Sequence, residues 1–373
     1  MCPETTAPEA DPGDLSLPQA LERAREARMS GALAQAETAL RRALDLAPRH
    51  VEALNELANV LAARGDRVGA QQIKIEAGDA AIEQAAGMAA SLLDTPLQSR
   101  AAAVLDRAVR THPAHPGGAL AQAELWRRLG DLPAARQAVG RCLTLDPANA
   151  RARWLDAALD GRRLPPNAAF MSPAPAWVLE DFLPAAEHRR LLEFALAHDR
   201  SLEPSTVGGI NPHDNWRRSL VDSNLHKADL SIASRIRAAA IEAVARLQLD
   251  PFDFASEEMQ FTAHNQGDFY KAHCDWGAGG AEHRRLTFVY YLHRQPRGFI
   301  GGGLRLFDSM EAANHYGERA YTRVDPADNR LVMFPSYVWH EVEAVNCASG
   351  RYEDGRFTIN GWFGVARSAP RIG

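Results

Sequence analysis

The chain is expected to be a multidomain α and β protein, with an all-α half built of helical repeats followed by a β-rich half of sandwich or jelly-roll type. Three observations predict this. From about Ser16 to Arg162 the sequence is Ala, Leu, Arg, Glu and Gln, with apolar residues at helical spacing and almost no β-branched runs. Past Ala176 it changes to short aromatic and β-branched segments punctuated by Gly, Pro and Asp. Between them lies RRLPPNAAFMSPAPA (Arg162–Ala176), which reads as a Pro-rich joint. The expected organisation is therefore a tail over 1–15, helical repeats over 16–162, a linker over 163–175 and a β domain over 176–373.

Composition narrows the function classes. At 373 residues, two or three domains are expected at roughly 150 residues each. With 46% apolar and 24% charged residues, a real core is available and wholesale disorder is excluded. A net charge of −5 argues against a nucleic-acid or anionic-membrane surface. Cys2, Cys142, Cys274 and Cys347 are too far apart for a disulfide scaffold or a zinc knuckle. The first residues lack the basic and apolar regions of a secretory signal, and no run reaches about 18 apolar residues. A cytoplasmic location with no membrane partner follows as an expectation.

The α half is punctuated in phase. Helices are expected over Val51–Arg64 and Ala119–Leu129, broken by Gly-Asp or Pro. Gly65 and Gly130 each open a Gly-Asp turn, and Gly31 lies 34 residues before Gly65. Pro48, Pro113 and Pro147 each close a helix, and the last two are again 34 apart. This helix–turn–helix period resembles the tetratricopeptide repeat. Gly65 to Gly130 is shorter than two such periods, so the repeat over about 78–113 is expected to be irregular. Each helix pair needs its neighbours to bury an apolar face, and stacking of about three to four repeats makes a concave surface suited to a peptide or partner.

The β half opens with a helix, PAAEHRRLLEFALAHD, followed by strand-like segments FTAHNQGDFYKAHCDW, RLTFVYYLHR, GGLRLFD, RLVMFPSYVWHEVEAV and RFTINGWFG. Within a strand, residues two apart share a face, so the side chains of His273 and Asp275 should project together while Cys274 points away. His340 begins a later strand-like run. Two His and one carboxylate with three open positions are the ligand pattern of non-haem Fe(II) oxygenases, where the metal must hold a co-substrate and O2 at once.

A lone His-x-Asp is weak evidence, but the residues around it strengthen it. His264, Gly267 and Tyr270 precede His273, RRLTFVYYL and GGGLRLFD fall between the ligands, and RFTINGW follows His340. From about Ala176 to the C-terminus the chain resembles the 2-oxoglutarate- and Fe(II)-dependent dioxygenases, most of all the prolyl 4-hydroxylase type. The resemblance covers roughly half the chain and implies a double-stranded β-helix. It implies His273, Asp275 and His340 as iron ligands, with Fe(II), 2-oxoglutarate and O2 as cofactors and co-substrates and ascorbate as a further candidate. It also implies Arg356 as the partner of the distal carboxylate of 2-oxoglutarate, a role suited to the planar guanidinium fork. The family commonly has this residue nearer the second His, so Arg351 competes, and Arg356 is preferred because Phe357, Ile359 and Trp362 give it a strand to stand on.

His264 stands where the family often has a tyrosine that bonds 2-oxoglutarate, and Thr287 matches a small polar position nearby. Both are candidate co-substrate contacts. Arg217 and Ser219, in NWRRSLVDSN, match the family's Arg-x-Ser segment over the substrate channel, and Tyr270 matches a position lining the active site. These three are candidate substrate contacts. His283, His293 and His315 are expected at the surface. The resemblance implies hydroxylation of an unactivated C–H. The appended repeats point to a protein or peptide side chain as substrate, while a small amino acid or natural-product intermediate is the alternative. A catalytically inactive scaffold is the rival of another class, disfavoured by the complete ligand set.

Overall fold

A computed structural model describes residues 15–78, 81–165, 171–199, 202–205, 216–223, 232–277, 281–310 and 315–367. The expected tail (as far as residue 14) and part of the Pro-rich joint (166–170) lie outside these. Nine α-helices are described up to residue 159: α1 (Leu17–Met29), α2 (Leu33–Leu46), α3 (Val51–Ala63), α4 (Arg67–Gly78), α5 (Ile82–Ser91), α6 (Gln98–Thr111), α7 (Pro116–Leu129), α8 (Leu132–Leu145) and α9 (Ala150–Leu159).

The recurrent glycines have a single physical cause. Gly31, Gly65 and Gly130 have φ of 76°, 88° and 87°, a left-handed conformation that costs glycine nothing. Each turn closes with the same pair of bonds. Gly31 N–H donates to Arg28 O and Ala32 N–H to Ala27 O, with Gly65/Asp66 and Gly130/Asp131 repeating the pattern. The carboxylates of Asp66 and Asp131 then accept from Gly69 N–H and Ala134 N–H at the start of the next helix. The irregular stretch expected around 78–113 holds α5, of ten residues, and Asp94 at a positive φ of 59°.

The chain forms two compact units, and they do not divide at the Pro-rich joint. One comprises Met1–Leu125 with Gln137–Pro147, the other Trp126–Arg136 with Ala148–Gly373. The first unit buries alanine and leucine from α1 to α4, including Ala36, Leu40, Leu54, Leu57 and Leu61.

The second unit contains fourteen strands among the described residues. In chain order they begin β1 (Trp177–Leu179), α10 (Ala185–Ala197), β2 (Glu203–Pro204), β3 (Arg217–Arg218), β4 (Leu220–Asp222) and α11 (Ile232–Arg246). Then come β5 (Ser256–His264), β6 (Phe269–His273), β7 (Arg284–Leu292), β8 (Ile300–Gly301), β9 (Leu304–Met310) and β10 (His315–Val324). The last are β11 (Arg330–Pro335), β12 (His340–Val342), β13 (Val345–Asn346) and β14 (Arg356–Gly364). A seven-stranded sheet runs β1-β11-β7-β14-β5-β4-β2, a five-stranded sheet β10-β9-β12-β6-β3, and β13 pairs with β8. The two larger sheets form the expected jelly roll.

Period-two alternation along β14 explains the layers. Phe357, Ile359 and Phe363 join Phe261, Phe288 and Tyr290 in a core that also takes Leu191 from α10 and Ile236 and Ala240 from α11. Arg356, Thr358, Asn360 and Trp362 face the other way and line a cavity. Helix α11 is an addition to the sequence reading: its Ala- and Arg-rich text resembles the first half of the chain, but its apolar stripe caps the large sheet. Among the described residues no helix is long and apolar enough to cross a membrane.

One ion cluster in this unit is centred on a fully buried pair. Arg127 bonds both oxygens of Asp308 on β9, at 2.7 and 2.8 Å, and reaches Thr322 at 3.2 Å. Arg151 on α9 adds a 2.6 Å bond to the same carboxylate. Arg127 and Asp308 are both 0% exposed.

Candidate active site

One cavity of about 820 Å³ gathers Arg217, His264, Tyr270, His273, Asp275, Thr287, His340 and Arg356. Ser219 does not line it. It is buried behind Arg217, whose Nε donates to the Ser219 hydroxyl at 3.3 Å.

His273 ends β6 and His340 opens β12, and the two are direct cross-strand partners in the smaller sheet. Their rings are 4.2 Å apart. Asp275 is not within a strand, contrary to the sequence reading, because β6 stops at His273. The chain bends there, and the N–H groups of Asp275 and Trp276 both donate to Ser336 O at 3.0 Å, turning the carboxylate back beside the imidazoles. His273 Nε2 lies 3.7 Å from Asp275 Oδ1, and His340 Nε2 lies 3.5 Å from Oδ2. One donor atom from each of the three residues lies within 4.8 Å of the others.

The donor chemistry fits a divalent metal. Nδ1 of each imidazole is bonded to a backbone carbonyl, Lys271 O at 2.8 Å and Val338 O at 2.9 Å, which places the proton on Nδ1 and leaves Nε2 as a lone-pair donor. Burial, with His340 adding to it, pushes His273 down to about 3, so its ring is neutral. Burial alone would raise the Asp275 carboxyl, but His340 and His273 outweigh it and hold it below the ordinary value. The Thr287 hydroxyl donates to Asp275 Oδ2 at 2.9 Å and touches the Ser336 hydroxyl at 3.0 Å. Thr287 thus reaches the carboxylate of the candidate donor set itself.

The far end of the cavity is cationic. Arg356 is 2% exposed and faces His264 across the β14–β5 ladder. Its Nε donates to Gly302 O at 2.8 Å, its Nη1 donates to His264 Nδ1 at 3.1 Å, and it lies 5.0 Å over the Tyr291 ring. Among the described residues no carboxylate lies within ion-pair distance of it. Gly302 is required here: a Cβ would meet Arg356 Cδ at 2.7 Å, and its φ is 67°. Arg351 is exposed and paired with Asp354 at 2.7 Å, on a 3-10 turn outside the cavity. Burial, then Arg356 and Arg217, hold His264 well below its usual value. Its Nδ1 accepts from a guanidinium, so its proton sits on Nε2.

Three sequence expectations for histidines resolve differently. His315 is exposed as expected. His283 is buried and bonded to Glu258 at 2.7 Å, and His293 is buried against Phe299, because the strand ends that carry them fold under neighbouring loops. Sequence reasoning also missed Arg284, Ser336, Thr358, Asn360 and Trp362 on the cavity wall or behind the ligands. Alternation along RFTINGW, applied from Arg356, already places three of them on its face.

The buried neutral histidines set an acid limit. The folded pKa of His264 and of His293 is lowered, chiefly by burial, so the unfolded chain takes up protons first, below about 6.5. Stability is therefore fully present above that pH and is lost as pH falls. Thermal melts of metal-free protein should show Tm falling between about pH 7.5 and 5, with a shallower fall in His293→Gln. A flat profile overturns this.

The geometry defines a class. Residues 259–364, within the C-terminal half of this chain, match the model of the 2OG-Fe(II) oxygenase superfamily. The chain is 31% identical over 187 residues to an uncharacterised PKHD-type hydroxylase of Synechocystis sp., a stretch that is 49% of this chain and 61% of that protein. The chain thus spans less than two thirds of that relative's length. Among solved structures it is similar to a Pseudomonas putida prolyl-4-hydroxylase, at 24% identity over 51% of this chain and 93% of that one, with a TM-score of 0.37. It is also similar to a Trichoplax adhaerens prolyl hydroxylase in complex with a hypoxia inducible factor peptide fragment, at 18% identity over 51% and 83%, with a TM-score of 0.40.

Proposed function

We propose that the protein is a 2-oxoglutarate- and Fe(II)-dependent dioxygenase that hydroxylates an unactivated C–H, with a protein or peptide side chain as its substrate. The observation that carries this is the pairing, in one cavity, of the His273–Asp275–His340 donor set with a buried guanidinium that has no carboxylate partner among the described residues. A buried charge without a partner is costly, so the wall is built for an anion.

Iron bound by His273, Asp275 and His340 supplies the oxidation: 2-oxoglutarate and O2 give succinate and CO2 as an oxygen atom enters the substrate C–H. The chain's own residues do the rest. Arg356 binds the distal carboxylate, His264 Nε2–H donates alongside it, and Thr287 holds Asp275 in place. Val289, Leu304 and Val342 on the cavity wall exclude water from the co-substrate end. Arg217, backed by Ser219, and Tyr270 lie on the substrate side. The helical repeats support the choice of an extended peptide over a small molecule, since stacked helix pairs present a continuous groove.

Anaerobic protein with Fe(II), titrated with 2-oxoglutarate, should develop the visible charge-transfer band of a chelated keto acid, absent in His340→Ala. No band in well-folded protein overturns the reading. Arg356→Ala should weaken 2-oxoglutarate by about 3 kcal/mol, roughly two orders of magnitude in Kd, and Arg351→Ala should not. The reverse result moves the co-substrate site.

A further inference from the structure

We infer that the substrate carries a carboxylate, bound by Arg217 beside the metal ligands. This rests on the oxygenase reading and names the substrate chemistry that it leaves open. Arg217 on β3 is the cross-strand partner of Tyr270 on β6. Its guanidinium lies 4.7 Å over the Tyr270 ring, and that ring stacks on His273 at 3.6 Å. The cation is therefore held one ring away from a candidate metal ligand.

Its hydrogen bonds are made to hydroxyl groups, those of Ser219 and Tyr270, and not to a carboxylate. Nε donates to Ser219, and among the described residues no carboxylate lies within ion-pair distance of the guanidinium. The other cavity cations each face a carboxylate, though two of them share one. Arg284 and Arg367 converge on Glu258 at 2.9 and 3.1 Å, and Arg356 faces the distal carboxylate of the co-substrate. Burial draws Arg217 down from its ordinary value, while the field of Asp275 opposes this. A planar guanidinium that lacks a carboxylate partner among the described residues has the shape that matches one.

The charge around the ligands leads to the same conclusion. A divalent metal with Asp275 as its one charged ligand retains a single positive charge, and Arg356 and Arg217 add one each. The doubly negative co-substrate leaves one positive charge over. A neutral substrate would leave that positive charge in place, whereas a carboxylate on the substrate reduces it. The carboxylate has two sources, a chain terminus or free amino acid, and an acidic side chain within a peptide.

The test uses the full chain loaded with Mn(II) and saturating 2-oxoglutarate, followed by calorimetry. N-acetyl-L-proline and N-acetylglycine are compared with their amides, and N-acetyl-L-glutamic acid α-amide with N-acetyl-L-glutamine amide. Each acid–amide ratio is internal to one protein, so a change in co-substrate affinity cancels. At least one acid should bind about 10-fold tighter than its amide, and the ratio should fall below about 2-fold in Arg217→Gln and be partly kept in Arg217→Lys. The pair that responds identifies the source. Equal binding of acid and amide, no acid bound at about 10 mM, or a preference that survives Arg217→Gln overturns the inference. Failure of 2-oxoglutarate itself to bind would instead overturn the oxygenase reading, so the two failures are distinct.

Discussion

Replacing His340 with alanine should abolish iron binding and all 2-oxoglutarate turnover while the metal-free protein keeps most of its stability. The ring sits at the first residue of β12, where it contributes Nε2 to the donor set and otherwise makes one bond, to Val338 O. Two donors that remain, His273 and Asp275, do not make a facial set. Thr287→Val separates holding from ligation. Its hydroxyl touches the Asp275 carboxylate and not an imidazole, so its loss should weaken iron by about 10- to 100-fold, as expected for an outer partner of a ligand. Iron affinity measured by competition with a chelator checks both. If His340→Ala binds iron as wild type does, the three residues are not the ligands. If Thr287→Val has no effect on iron while weakening 2-oxoglutarate, its role is on the co-substrate.

The second large effect concerns stability and lies away from the cavity. Asp308→Ala should cost about 3–5 kcal/mol in denaturant unfolding, because it leaves the fully buried Arg127 guanidinium without its carboxylate. Arg127, 0% exposed, loses both oxygens of its fork, and Arg151 loses a 2.6 Å bond. Replacing Asp308, Arg127 and Arg151 together with apolar residues of similar volume should recover most of the loss, since the penalty comes from the unpaired charge and not from the missing pair. A loss below about 1 kcal/mol for Asp308→Ala would show that water reaches the cluster.

The same cluster bears on how the halves of the chain are separated in experiments. A cut at Arg162, the natural choice from the Pro-rich joint, removes both Arg127 and Arg151 and leaves Asp308 as a buried carboxylate with neither guanidinium. It also removes Trp126–Arg136 and α9, which belong to the second compact unit. Such a truncation should lower the Tm of the oxygenase domain. Substrate recognition by the repeats is better tested by point changes on α1 to α5 in the intact chain.

Local chemistry was legible in the sequence wherever one residue's conformation or a short period decides the outcome. The 34-residue phase of Gly31 and Gly65 was readable because a left-handed turn accepts glycine above all other residues, and proline cannot continue a helix. His273, Asp275, His340 and Arg356 were readable as a set from their residue types, order and flanking strands, and the structure brings all four to one cavity. The choice of Arg356 over Arg351 rested on period-two alternation along RFTINGW, and the structure puts Arg356 on the cavity face of β14 and Arg351 at the surface.

Only the tertiary structure decided the rest, since those features depend on partners far apart in the chain. Asp275 points at the imidazoles because Ser336, some sixty residues later, accepts two backbone bonds, and no strand period predicts that. Thr287 was visible as a polar residue on a strand, but its bond to Asp275 needs the β6 turn and β7 to meet. His283 and His293 look like surface residues locally, and they are buried by strands and loops that arrive from elsewhere. The compact units depend on distant partners in the same way: the Pro-rich joint marks where secondary structure changes, while Trp126–Arg136 is grouped with Ala148–Gly373 by contacts such as that of Arg127 with Asp308, 181 residues apart.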